Sequence, residues 1–181
     1  MEKVIRFVDQ TNKVFAYIAG ALMILSVALI ITEIVARAVF NSTIYITTEY
    51  TAYFMVGITF LGLAYTLKDK AHIRMTFIYK IFKGPKARMI LELYTNIVGL
   101  AAFLIITSAT FHFFLDSLVS GTQSMQLTKT YLAIPQFILP LGSLLLSLQF
   151  FAEISRTVIK YRRGEFVINE EEDAELQAAG H

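Results

Sequence analysis

Four stretches of 18 residues or more contain no Lys, Arg, Asp or Glu, and this pattern constrains the fold more than any other feature. They are Val14–Thr32, Tyr50–Leu67, Leu93–Leu115 and Thr130–Ala152. An α-helix rises about 1.5 Å per residue, so about 20 apolar residues cross the hydrocarbon core of a bilayer. Only 17% of the residues are charged, whereas soluble domains carry about 25%. The sequence therefore predicts an all-α integral membrane protein with four transmembrane helices.

The whole apolar part of the chain is expected to form a single domain. We predict this four-helix transmembrane domain over residues 1–160, with spans at about 14–36, 48–68, 90–115 and 131–155. Residues 161–181 end in the acidic stretch INEEEDAELQAAGH, which is typical of a disordered tail. The polar segments are too short for a soluble domain, because a core of fewer than about 40 residues rarely folds alone. The chain is therefore not expected to be an enzyme.

The basic residues predict how the chain crosses the membrane. Of the 16 Lys and Arg residues, 14 lie before the first span, between the second and third spans, or after the fourth. The two exceptions are Arg37 and Lys129. Basic residues are enriched on the cytoplasmic side of membrane proteins, so both termini and the middle connection are predicted to be cytoplasmic.

The middle connection is rich in basic residues. Those expected to set the topology and to face lipid headgroups are Lys68, Lys70, Lys80, Lys83, Lys86 and Arg88. Within it, Phe77, Ile78, Ile81 and Phe82 recur at helical spacing between lysines. This pattern predicts a short amphipathic helix at the membrane surface, ending at Gly84-Pro85.

A few polar residues inside or beside the spans are candidates for function. Glu33 and Arg37 are one helical turn apart, so they are expected to pair, although Glu33 could also be the exchanging carboxylate of an autonomous cation or multidrug exporter. Glu49 begins the second span, where the helix dipole favours a negative charge. Pro140 lies deep in the last span and is expected to release the carbonyl of Gln136.

The sequence also argues against cofactors. His72 and His112 are predicted at opposite ends of their spans, too far apart for two axial ligands of one haem. The chain has no Cys and therefore neither a disulfide nor a thiolate metal site. A membrane anchor of a redox enzyme remains an alternative. No basic face with interleaved aromatic residues indicates nucleic acid, so we expect no nucleic-acid partner and no cofactor.

One region resembles a known family. ARAVFNSTIYITTEYTAYFMVGITFLGLAYTLKDKAHIRM, residues 36–75, is similar to the signature region of the small membrane subunit of tripartite ATP-independent periplasmic (TRAP) transporters. The shared elements are Arg37 with VFN after the first span, Glu49, Gly62 and the AHIRM stretch. YLAIPQFILPLGSLL in the last span resembles a second stretch of that family, and the similarity runs from about Val4 to Lys160.

The resemblance implies a multi-pass subunit of the bacterial inner membrane. It would form a stable heterodimer with a large transmembrane subunit, which binds the sodium ions and imports an organic anion, such as a carboxylate, sugar acid or sulfonate. A periplasmic binding protein would deliver that anion, and lipids would surround the complex. The matching residues are then expected to be structural or to contact the partner; they are Arg37, Glu49, Asp69, His72, Arg74 and Pro140.

Overall fold

The computed structural model describes residues 2–79, 85–126 and 128–162, and side chains are described except at residues 2, 69–79, 85, 87 and 88. The described chain is helical, with bounds α1 Glu2–Phe40, α2 Ile46–Tyr79, α3 Pro85–Ser120, α4 Ala133–Gln136 and α5 Ile138–Arg162. No strand occurs in these ranges; the nearest feature is an isolated bridge between Gln123 and Tyr131.

Four helical stretches are long and apolar enough to cross a membrane, which confirms the predicted all-α membrane fold. They run over Lys3–Phe40, Ile46–Lys68, Met89–Ser120 and Ala133–Arg162. At about 1.5 Å per residue, the 39 residues of α1 extend about 58 Å, nearly twice the hydrocarbon thickness of about 30 Å. The uncharged part of α1 between Lys13 and Glu33 matches that thickness, so α1 continues beyond the hydrocarbon.

The helix ends follow local sequence signals. Asn41 after α1 and Gly121 after α3 have φ angles of 45° and 62°, the left-handed conformation that commonly ends a helix. Pro85 begins α3, a position where its missing N–H would have no helical partner. The helical run of the last span is divided at Phe137. Pro140, three residues later, has no N–H to donate to the Gln136 carbonyl.

The second helix is longer than the predicted span. Its backbone remains helical to Tyr79, whereas the sequence placed the end of the span near residue 68. Residues 69–79 contain neither Gly nor Pro, so nothing in them interrupts the helix. Phe77 and Ile78, assigned above to a separate surface helix, continue the backbone of α2. Ile81, Phe82 and Gly84 lie outside the described residues.

α5 lies at the centre of the bundle. In the 18-residue apolar part of the last span, half of the residues are buried inside the bundle. In the corresponding part of α3, none are buried. α5 packs against α1, α2 and α3, while α1 packs against α2. An apolar core joins Ala19 of α1, Leu61 and Ala64 of α2, and Leu145, Leu146 and Phe150 of α5. The large apolar side chains on the outside are then available to lipid.

The neighbouring helices approach closely at glycines. A Cβ atom placed on Gly142 of α5 would lie 2.6 Å from both Cβ and the carbonyl oxygen of Phe60 on α2. A Cβ atom on Gly99 of α3 would clash with the ring of Phe150. Small residues permit such close packing of membrane helices, where van der Waals contact contributes most of the association energy.

The bundle has two distinguishable ends. We call the end that carries Glu2, Tyr79, Pro85 and Arg162 the terminal end. The opposite end, which carries the connections 41–45 and 121–132, is called the loop end.

Candidate functional site

A network of buried and partly buried polar side chains joins α1 to α5 near the terminal end. We define the terminal-end network as Asp9, Asn12, Gln149, Glu153 and Arg156. Asn12 and Gln149 are fully buried, and Asn12 Nδ2 donates to Gln149 Oε1 at 2.6 Å. Gln149 Nε2 donates to Glu153 Oε1 at 2.9 Å, and Arg156 donates to the same oxygen at 2.6 Å. The guanidinium of Arg156 also donates to Asp9 Oδ2 across the helix interface.

The network reaches the other two spans. Lys68 Nζ of α2 lies 3.9 Å from Asp9 Oδ2. Thr157 of α5 donates to Glu92 Oε2 of α3 at 3.2 Å. Polar contacts at this level therefore tie all four spans together, and an adjacent apolar cluster of Ile5, Val8 and Ala152 supports them.

The charges of the terminal-end network balance locally. Arg156 lies between two carboxylates, and Lys68 supplies a second positive charge beside Asp9. Two atoms, Asp9 Oδ1 and Asn12 Oδ1, are buried without a hydrogen bond. Because buried charges are stable only when they are paired and hydrogen-bonded, this arrangement fixes helix positions. Within the described residues, no group of three or more His, Cys, Asp or Glu side chains could hold a metal ion.

A second polar group lies at the loop end around Glu49, which is 4% exposed. Tyr53 donates its hydroxyl hydrogen to Glu49 Oε1 at 2.6 Å, and the hydroxyls of Ser124 and Thr130 also interact with this carboxylate. We call these four residues the loop-end cluster. Glu49 Oε2 is buried without a hydrogen bond. The connection 121–132 therefore covers the beginning of α2.

Glu49 lies in the first turn of α2, where the helix dipole favours a negative charge, and three hydroxyl groups interact with its carboxylate. In the part of the chain that the structure describes, no Lys, Arg or His forms an ion pair with Glu49.

The other predicted site residues are distributed over both ends. Glu33 and Arg37 pair as the spacing predicts, and the Arg37 side chain is 58% exposed at the loop end. Pro140 is buried inside the bundle. Asp69, His72 and Arg74 lie on the helical backbone of α2, towards the terminal end. Their side chains are outside the described part, so their roles stay predictions.

The basic residues of the middle connection are only partly described. Lys68 lies beside Asp9, and Lys86 is exposed at the start of α3. The side chains of Lys70 and Arg88 are not described, and Lys80 and Lys83 lie outside the described residues.

An apolar crevice of about 310 Å³ opens between α1 and α2 near the loop end. Leu25, Leu29, Ile46, Tyr50 and Phe54 contribute to its walls. These side chains suit an apolar ligand, such as a hydrocarbon chain. They provide almost no polar group that could bind a charged solute.

Sequence reasoning missed the terminal-end network. Gln149, Glu153 and Arg156 are spaced by four and three residues and share one helix face with the close-packed Gly142. Gln149 is a polar residue inside an uncharged span, and Glu153 and Arg156 follow it on the same helix face. This pattern is the signal that could have revealed the α5 half of the network. Nothing in the sequence pairs this stripe with Asp9 and Asn12 of α1.

The fold and the polar contacts define a multi-pass α-helical membrane protein whose intramembrane polar groups mostly join its own helices. A family model described as tripartite ATP-independent periplasmic transporters, DctQ component, matches residues 26–160. This match covers more than half of the chain, and the protein therefore belongs to that family. A comparison with curated proteins found no match.

Family membership confirms the resemblance seen in the sequence. The chain is the small permease component of a TRAP transporter, a family of transporter components and not of enzymes. The family implies association with a large permease subunit and a substrate-binding protein. It favours this interpretation over an autonomous exporter using Glu33 and over a redox anchor.

Proposed function

We propose that this chain is the immobile membrane support of a sodium-coupled, ATP-independent importer of an organic anion. A large transmembrane subunit would carry the anion and the coupling sodium ions, and a periplasmic protein would deliver the substrate. The chain itself would hold no cofactor for transport. The observation that carries the proposal is the terminal-end network, because Asp9, Glu153 and Arg156 are engaged with one another across two helices. Such paired charges suit a rigid support better than an alternating carrier.

The described surface leaves room for a partner in the membrane. Gly62, one of the residues that carry the resemblance, has nothing within 4 Å of the position a Cβ atom would take. The α3 residues His112 and Asp116 are exposed, although ionisable groups within membrane helices generally face protein or water. A large subunit in a stable heterodimer would cover such features. Arg37 would be available to it at the loop end.

The proposed topology places the terminal end in the cytoplasm of a bacterium and the loop end in the periplasm. The support is the enrichment of Lys and Arg at the terminal end, including Lys3, Arg6, Lys13 and Lys68. The inner membrane follows as the location, because this topology presents the loop end to a periplasmic binding protein.

The lack of Cys in the sequence makes this topology directly testable. We expect Met125→Cys, on the fully exposed loop-end connection, to react in intact spheroplasts with a membrane-impermeant maleimide. Tyr161→Cys, exposed near the terminal end, should react only after the membrane is permeabilised. Labelling of Tyr161→Cys in sealed spheroplasts, with Met125→Cys protected, would invert the proposed orientation.

Transport is tested by reconstituting the three components in liposomes. We expect uptake of the anion to require an inward sodium gradient, the large subunit, the binding protein and this chain together. Liposomes that contain this chain alone should show no solute flux, because the proposal places the transport pathway in the large subunit. Sodium-driven uptake by the chain alone would refute the support role. Equal uptake with and without the chain would refute its participation.

A further inference from the structure

The loop-end cluster contains a buried carboxylate that the proposed support role does not use. Glu49 is nearly fully buried, and its Oε2 atom has no hydrogen-bond donor. Only its Oε1 atom accepts a well-formed bond, from Tyr53 at 2.6 Å. Burial of a carboxylate oxygen in this situation is costly, and a positive group beside it would compensate the cost.

The surroundings of Glu49 have the chemistry of a small-cation site. The hydroxyl groups of Tyr53, Ser124 and Thr130 interact with the carboxylate and provide neutral oxygen atoms. Hard metal cations prefer such carboxylate and neutral oxygen ligands. A single carboxylate also matches a single positive charge, because a divalent ion would leave excess charge in a buried position.

The connection that supplies two of these hydroxyls is held by its own backbone. Ser124 N–H donates to the Thr130 carbonyl at 2.8 Å, and Leu132 N–H donates to the Thr122 carbonyl at 3.0 Å. Ser124 Oγ also accepts the Gln126 N–H at 3.1 Å. These bonds hold the backbone at Ser124 and Thr130, whose hydroxyl groups interact with Glu49 at the start of α2.

We propose that Glu49, with the hydroxyls of Tyr53, Ser124 and Thr130, binds one monovalent metal cation, sodium in preference to potassium, at the loop end. Oε2 has almost no accessible surface, so a smaller ion requires less rearrangement of the surrounding atoms. This ion is resident in the small subunit and fastens the connection 121–132 to α2. It is separate from the coupling ions that the proposed function assigns to the large subunit.

The test uses the full chain purified alone in detergent micelles. Radioactive sodium binding is measured at constant ionic strength, with potassium or choline as the replacement ion. We expect about one sodium ion per chain, and a rise in the midpoint of thermal unfolding with sodium concentration, because a ligand that binds only the folded state stabilises it. Potassium should compete at least about tenfold more weakly, and choline should not compete.

Substitutions identify the site. Glu49→Gln should abolish sodium binding, and Thr130→Val, which removes one hydroxyl while keeping the shape, should weaken it about tenfold or less. Glu33→Gln is the matched control, since Glu33 is a carboxylate at the same end that is already paired with Arg37. It should bind sodium like the unmodified chain.

Three outcomes would overturn the inference. They are absence of sodium binding to the unmodified chain, equal binding by Glu49→Gln, and equal affinity for potassium. Because the large subunit is not needed for the measurement, failure here leaves the support role intact, and failure of the transport test leaves this site intact.

Discussion

Replacing Gly142 by alanine is expected to cost about 3 kcal/mol of stability, because overpacking a membrane helix interface forces the backbones apart. The added Cβ atom would lie 2.6 Å from the carbonyl oxygen of Phe60, which is backbone and cannot rotate away. α2 and α5 must therefore separate. The higher helix propensity of alanine, worth about 1 kcal/mol, offsets only part of this cost. The free energy of unfolding in micelles, obtained by steric trapping, measures the result.

Gly20→Ala provides the matched control for this substitution. Gly20 lies within α1 and has nothing within 4 Å of the position its Cβ atom would take. We expect its replacement to be neutral or to stabilise the chain by up to about 1 kcal/mol. If Gly142→Ala behaved in the same way as Gly20→Ala, the close contact between α2 and α5 would not exist in the folded protein.

Arg156→Met should also destabilise the chain strongly, by about 3 kcal/mol. The substitution keeps most of the side-chain length but leaves Asp9 and Glu153 together without the guanidinium that joins them. Adding Glu153→Gln and Asp9→Asn should recover most of the loss, because the triple variant contains no unpaired carboxylate. The measurement is the midpoint of thermal unfolding, which should be higher for the triple variant than for Arg156→Met.

Arg162→Met is the control for Arg156→Met. It lies six residues, or about 1.7 turns, further along the same helix and is exposed. We expect a change within about 0.5 kcal/mol, as for most surface substitutions. A triple variant no more stable than Arg156→Met would show that the charges of Asp9 and Glu153 are not the cause of the loss.

The spans were predictable from sequence because burial in hydrocarbon excludes charged residues over a fixed length. On α1, the uncharged stretch lies between Lys13 and Glu33. The structure has a continuous helix, Lys3–Phe40, that contains this stretch. The local pair of Glu33 and Arg37 was equally predictable, since four residues make one helical turn. The continuation of α2 to Tyr79 was not, because polarity marks where the membrane ends and carries no signal that a helix must end there.

The polar clusters were only partly predictable. The sequence identified Glu49, but its contacts with Ser124 and Thr130 depend on how a distant connection folds over α2. Asn12 and Gln149 are separated by 137 positions. Their hydrogen bond follows from the packing of α1 on α5, which neither hydropathy nor spacing along one helix specifies.

The lack of buried residues in the membrane window of α3 has a consequence for assembly. α3 packs chiefly on α5, with Gly99 against the ring of Phe150, so one side of the helix is held by the chain itself. The rest of its span is left to lipid or to another subunit. A partner that binds along α3 would therefore meet a helix whose position α5 has already fixed.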